Sequence, residues 1–181
     1  MEKRKILAIS GSTRKNSSNE KILSFIKELH PHSLDVTIFT AIDQLPHFNP
    51  DISENDLPAS VINFLQMIED AEGVIICTPE YVFSLPGTLK NALEWTVSTT
   101  VFSYKPFAFI IASASGEKAF EALDLIMKTL LQQEIPDSSK LLIKGGKGKV
   151  NDDGKMSDET AVNQIETVVD SLLESINKSK A

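Results

Sequence analysis

The residues best equipped for chemistry stand in three short stretches. The first, Ser10-Gly11-Ser12-Thr13-Arg14-Lys15-Asn16-Ser17-Ser18-Asn19, is a run of hydroxyls, amides and two cations between an apolar segment and a helical pattern. A helix start offers unpaired N–H groups and a favourable dipole, Ser and Asn add donors, and Arg14 adds a fixed charge, so the combination suits a phosphate. One Ser or Asn would suffice for an ordinary helix cap. Ser12, Thr13, Asn16, Ser17, Ser18 and Asn19 together exceed what a single cap requires.

The second stretch runs from Thr78 to Trp95 and sets Glu80, Tyr81, Val82 and Phe83 between Pro79 and Pro86. Prolines stiffen such a loop, and backbone N–H groups beside apolar side chains suit a flat heteroaromatic ring with polar edges. The same residues could simply pack over the end of a sheet, and the loop alone does not choose between the two. The third stretch, Ala112-Ser113-Ala114-Ser115-Gly116-Glu117-Lys118, is again small and hydroxylated ahead of a helical pattern. Beside the other two it would complete a site with a phosphate at one end and a ring at the other.

Three familiar phosphate chemistries do not match these letters. A P-loop needs GxxxxGK[ST], whereas the fifth residue past Gly11 is Asn16, followed by Ser17. A dinucleotide fingerprint needs GxGxxG, and Thr13 occupies its second glycine position. A cysteine phosphatase needs a thiolate in a cationic loop, but Cys77 lies in an apolar run with no basic residue in the loop that follows, so it reads as core.

The elements that would position these stretches are legible in the apolar pattern. Short runs at Ile6–Ile9, Val36–Phe39, Val74–Cys77, Phe107–Ile111 and Leu141–Ile143 predict five strands. Between them, helical spacing predicts helices from Ser18 to His30, Pro58 to Glu69, Pro86 to about Val97, and Lys118 to Gln132. The expected buried stripes are Ile22, Leu23, Ile26 and Leu29; Val61, Ile62, Leu65 and Ile68; and Leu123, Ile126, Met127 and Leu130. Pro58 and Pro86 suit first-turn positions, and Pro31 ends the first helix. A last helix carries Val162, Ile165, Val169, Leu172, Leu173 and Ile176, after Gly145-Gly146-Lys147-Gly148 and a turn at Asp152-Asp153-Gly154. Strands alternating with helices imply a parallel sheet covered on both faces, with ligands at the carboxyl ends of its strands.

Length and composition bound the remaining possibilities. The 181 residues, 41% hydrophobic and 24% charged, suit a single domain spanning residues 1–181. A net charge of −7 argues against general nucleic-acid binding. No apolar run reaches the roughly 20 residues needed to cross a bilayer, so no membrane partner is expected and the basic start Met1 to Lys5 does not suggest export. A lone cysteine allows no intramolecular disulfide and fits a reducing compartment, the cytoplasm by default. His30, His32 and His47 lack the company of a metal set, and no metal is expected.

Taken together, the motifs resemble those of the NADPH-dependent FMN reductase family, whose members include quinone, azo-dye and chromate reductases. The family's phosphate-loop pattern GSxRxxSxN is similar to Gly11–Asn19, and its flavin-loop pattern TPEYxxSxPGxLKNALxW is similar to Thr78–Trp95. Leu45–Asp51 and Asp152-Asp153-Gly154 extend the likeness. The resemblance implies a flavodoxin-like, doubly wound five-stranded parallel sheet in the order 2-1-3-4-5. It implies FMN as cofactor, with Ser10, Ser12, Arg14, Ser17, Ser18 and Asn19 around the phosphate. Pro79, Glu80, Tyr81, Val82 and Phe83 would line the ring, and Ser113, Ser115 and Gly116 would close the third side. Two departures stand out: Val82 and Phe83 replace the Asn and Tyr of many members, and Lys118-Ala119 replaces a Gly-Gly pair.

The activity so implied is oxidation of NAD(P)H with reduction of a small acceptor such as a quinone, azo compound, flavin or metal ion. No side chain need act as a catalytic acid, base or nucleophile, because the flavin carries the chemistry. A flavodoxin-type electron carrier without nicotinamide activity is the alternative, and Arg14 with the Pro79-Glu80-Tyr81 loop favours the reductase. The resemblance also points to a homodimer or dimer of dimers. The helix from Pro86, with Leu89, Leu93 and Trp95, is expected to hold more apolar surface than one sheet face covers.

Overall fold

The computed structural model describes residues 3–145 and 158–180. Its frame is a parallel sheet of β1 (Arg4–Ser10), β2 (Leu34–Phe39), β3 (Gly73–Thr78), β4 (Phe107–Ser113) and β5 (Lys140–Lys144). The spatial order is β2-β1-β3-β4-β5, the flavodoxin-like arrangement, and each short apolar run of the sequence is a strand. Five helices connect and cover them: α1 (Ser18–Leu29), α2 (Ala59–Asp70), α3 (Gly87–Glu94), α4 (Glu117–Leu131) and α5 (Glu159–Ser179).

Alternation along the strands divides the core in two. Ile6, Ala8, Ile75, Cys77, Ala108 and Ile110 face α1 and α5, while Leu7, Ile9, Val74, Ile76, Phe109 and Ile111 face α2, α3 and α4. A sheet buried on both faces accounts for strands that read as continuous hydrophobic runs. Each large apolar side chain so buried contributes on the order of 2 kcal/mol against chain entropy.

Several helix details differ from the sequence expectation. Pro58 and Pro86 are N-caps in extended conformation, so α2 starts at Ala59 and α3 at Gly87. The third helix ends at Glu94 instead of Val97, because the chain tightens into turns in which Thr96 N and Val97 N reach Leu93 O and Glu94 O. The Thr96 hydroxyl also donates to Leu93 O, at 2.8 Å. In α2 the sheet receives Val61, Phe64 and Ile68, and Ile62 is 53% exposed. In α4 it receives Ala119, Leu123, Met127 and Leu131, leaving Ile126 and Leu130 half-buried. Both helices are rotated about their axes relative to the expected stripe, a phase fixed by contact with the sheet.

The apolar surplus expected on α3 is absent. Leu89, Leu93 and Trp95 are all buried, with Trp95 held under the segment from Leu45 to Asp51. Its indole nitrogen donates to Pro46 O at 2.8 Å, and its ring meets Phe48 edge-on at 5.2 Å between centroids. Gly146-Lys147-Gly148 and Asp152-Asp153-Gly154 lie outside the described residues. No described helix is long and apolar enough to cross a membrane.

Candidate functional site

The order β2-β1-β3-β4-β5 reverses direction between β1 and β3, the topological switch point beyond whose strand carboxyl ends sheets of this class bind ligands. The three polar stretches flagged in the sequence follow β1, β3 and β4, which are neighbours in the sheet. Ser10 pairs in register with Cys77, and Thr78 with Ile111.

The first loop is tied to the second at its root. Gly11 N donates to Cys77 O at 2.9 Å, and a methyl group on Gly11 would lie 2.5 Å from Thr78 Cβ and meet its hydroxyl. Only glycine permits this approach. Ser10 and Ser12 bond to one another: the Ser10 hydroxyl donates to Ser12 O at 3.2 Å and accepts from Ser12 N at 3.4 Å. The Ser12 hydroxyl accepts from Arg14 N at 3.3 Å, and the Ser17 hydroxyl accepts from Glu20 N at 3.1 Å as the N-cap of α1. A hydroxyl that accepts a backbone N–H still has its own proton to donate, so Ser12 and Ser17 can both offer a donor to an anion.

Glu20 completes a cap-like exchange by accepting Asn16 N at 2.9 Å, with Asn16 in the left-handed region at φ 55°. Ser18 is half-buried at the first position of α1, and Asn19 is buried behind it, with Oδ1 3.3 Å from the Cys77 sulfur. Cys77 is core, as expected, and burial pushes its thiol pKa far up. The exposed guanidinium of Arg14 has no ion-pair partner among the described residues. Lys118, at the start of α4, is compensated by Glu121 at 2.7 Å, and Lys144, at the end of β5, by Glu117.

In the second loop, Pro79 is buried and Tyr81 to Ser84 form a tight hairpin, with Tyr81 N to Ser84 O at 2.9 Å and Ser84 N to Tyr81 O at 3.1 Å. The two tip residues, Val82 at φ 50° and Phe83 at φ 59°, both lie in the left-handed region. Two-residue turns of that kind favour Asn and Gly, and a β-branched residue there is strained. Val82 is 94% exposed and Phe83 79%, so the tip presents an apolar surface to solvent.

The Glu80 side chain turns away from the tip. Its carboxylate accepts from the Ser115 hydroxyl at 3.0 Å, from Lys118 N at 2.9 Å and from Ala119 N at 3.0 Å. The Ala119 bond foremost, with those to Ser115, Lys118 and Gly116, holds the carboxyl below the usual glutamate range against a desolvation effect of opposite sign. Glu80 therefore caps α4 from another loop and joins the second and third stretches. Gly116, at φ 114°, takes a conformation strained for other residues, and a methyl group there would also lie 2.6 Å from Leu142 Cδ1, so that this side chain would have to yield. Ser113 contributes its carbonyl to Gly145 N at 2.8 Å.

Asn91, Trp95 and the Lys118 and Ala119 amides have roles that no local sequence pattern signals. Asn91 accepts from Phe48 N at 2.8 Å and donates to Pro46 O at 2.9 Å, so with Trp95 it fixes the segment after β2. Their place in one motif was visible. Their partners, more than forty residues earlier, were not.

Comparison with known proteins gives a consistent result. The family model described as NADPH-dependent FMN reductase matches residues 4–140. A quinone reductase of Escherichia coli is 36% identical over 95 residues, which are 52% of this chain and 50% of that protein. The chain thus spans about half the length of the first curated relatives it matches. A quinone reductase of Pseudomonas putida is 31% identical over 160 residues, 86% of each protein. Among solved structures, the flavoenzyme NAD(P)H:(acceptor) oxidoreductase FerB from Paracoccus denitrificans superposes with a TM-score of 0.77 at 26% identity, covering 97% of this chain and 98% of that one.

Proposed function

The chain belongs to the NADPH-dependent FMN reductase family, and from that premise we propose that it binds FMN and oxidises NAD(P)H, with a quinone or similar flat organic acceptor as the oxidant. The observation that carries this reading is the convergence of a donor-rich loop, an apolar tip and a capped helix start at the carboxyl ends of β1, β3 and β4. FMN has matching parts, a phosphate and a flat ring.

The residues present fit that cofactor. Ser12, Ser17, Ser18, Asn19 and Arg14, with Ser10 bracing the turn, would hold the phosphate, and Arg14 brings a fixed charge that has no ion-pair partner among the described residues. Pro79, Tyr81, Val82 and Phe83 would lie along the ring. Glu80, Ser113, Ser115 and Gly116 would act mainly by shaping the third loop. When bound, FMN supplies the redox chemistry, taking hydride from the nicotinamide and passing electrons to the acceptor. No catalytic acid, base or nucleophile is assigned to the protein.

Val82 and Phe83 support the acceptor class. A rim without the amide and phenol of many relatives favours flat, poorly hydrated molecules such as quinones and azo dyes over hydrated ions. Steady-state rates with a quinone, an azo dye and a ferric chelate check this, and preference for the chelate would refute it.

We further infer one FMN-binding domain per chain, a cytoplasmic location in keeping with the single reduced cysteine, and assembly as a homodimer or dimer of dimers. The exposed apolar residues away from the flavin loop that support assembly are Val97, Tyr104 and Leu125, each at least 61% exposed. Sedimentation as a 19.9 kDa monomer at micromolar concentration would contradict assembly. The test of the cofactor is the absorbance spectrum of purified protein with the released chromophore identified. Recovery of FMN is expected, and protein that neither carries nor takes up FMN would remove the proposal.

A further inference from the structure

We propose that Cys77 is a positioning residue for the cofactor phosphate, its thiol fixing the Asn19 side chain so that the amide N–H2 group is free to donate to that phosphate. The inference rests on the FMN reading above and assigns a task to a residue that the phosphate-loop pattern does not contain.

Cys77 is the residue of β3 in register with Ser10, and its carbonyl accepts Gly11 N at 2.9 Å, so its main chain anchors the root of the first loop. Its side chain meets the first turn of α1. There the sulfur lies 3.3 Å from Asn19 Oδ1 in an interior shared with Ile75, Ile22, Leu23 and Ile26. One residue thus ties down both ends of the segment from Gly11 to Asn19.

Asn19 needs an explanation. It occupies the second position of α1, is a modest helix former, and is 4% exposed. Buried amides in folded proteins have their hydrogen bonds filled. The Asn19 carbonyl oxygen is filled by the thiol, while its amide nitrogen has no partner among the described residues. The planar amide places that nitrogen on the branch turned from the sulfur, with two N–H donors at a helix start already rich in donors. Burial without a neighbouring cation keeps the thiol protonated, and a protonated thiol suits the amide oxygen, to which it donates, better than the N–H2 group, for which its sulfur is only a weak acceptor. It therefore selects the oxygen of Asn19 and leaves the nitrogen outward. Valine or alanine at position 77 would pack the strand but exert no such selection.

The test compares FMN with riboflavin, which has the same ring and no phosphate, by fluorescence titration of the apoprotein. Wild type is expected to prefer FMN. Cys77→Ala should lose about three- to tenfold in FMN affinity, the worth of one net hydrogen bond, with riboflavin affinity unchanged. Cys77→Ser, which retains a donor, should recover most of the loss, and Asn19→Ala combined with Cys77→Ala should lose no more than Asn19→Ala alone. Unchanged FMN affinity in Cys77→Ala, an equal loss for riboflavin, or strictly additive losses would overturn the inference. If Cys77→Ala does not fold, Cys77→Val replaces it, with the same losses expected and the same results overturning it. Wild type that binds riboflavin as tightly as FMN would instead overturn the phosphate reading on which the inference stands.

Discussion

The carboxylate of Glu80, on the loop after β3, accepts the backbone N–H of Ala119 in the first turn of α4 at 3.0 Å, across a sequence separation of 39 residues. A helix cap is usually local. Here it comes from a neighbouring loop and locks together two of the three loops at the candidate site. Glu80→Gln is expected to cost about 1 kcal/mol at neutral pH, the scale of a lost charged cap. The carboxyl is held below its ordinary value in the folded state, chiefly by the Ala119 bond. Its contribution is therefore complete above the unfolded glutamate value of about 4.3 and is lost as pH falls through the folded value. Melting curves of wild type and Glu80→Gln should be separated at pH 7 and converge in acid, whereas a constant separation would exclude this role.

Gly11 and Gly87 form a matched pair. Gly11→Ala would push a methyl group into Thr78 and is expected to destabilise by on the order of 2 kcal/mol. Gly87, at the start of α3, has nothing within 4 Å of the place a methyl group would take, so Gly87→Ala should be neutral or stabilising by about 0.5 kcal/mol. Urea denaturation of both variants checks the contrast, and equal effects would refute it.

Val82 sits at φ 50° with its side chain almost wholly in solvent, so it has strain and little packing to offset it. Val82→Asn is expected to stabilise the protein by about 1 kcal/mol, since Asn tolerates the left-handed region. Calorimetry would show a higher Tm. A lower one would mean that Val82 makes contacts in solution that the isolated chain does not.

How much of this was readable beforehand depended on the range of the interactions. The strands and the donor-rich loop from Ser10 to Asn19 were legible because each is written in consecutive residues. Helix phase was less so: Ile62 and Phe64 are both apolar, and only contact with the sheet selects Phe64. The burial of Trp95 depends on Pro46 and Phe48 folding back over it, which no local pattern announces. For the same reason Glu80 looked like part of a ring-binding loop, while its carboxylate serves α4.

Arg14 is exposed and makes no ion pair with any described residue, so removing it should leave the fold intact. Arg14→Ala is expected to weaken FMN binding by about 1.5 to 3 kcal/mol, the range for a hydrogen bond to a charged group, with the melting temperature of the apoprotein unchanged. Titration calorimetry measures the first and a thermal scan the second. Wild-type affinity in the folded variant would take Arg14 out of the site.

The most direct measurement is anaerobic stopped-flow mixing of the FMN-loaded protein with NADH and, separately, with NADPH, followed by addition of a quinone. One open face serving donor and acceptor in turn predicts loss of the oxidised flavin's visible absorbance with at least one nicotinamide and its return with the quinone, and ping-pong kinetics in the steady state. Flavin that stays oxidised with both nicotinamides, yet is reduced by a low-potential electron donor, would contradict the reductase account and identify the protein as an electron carrier.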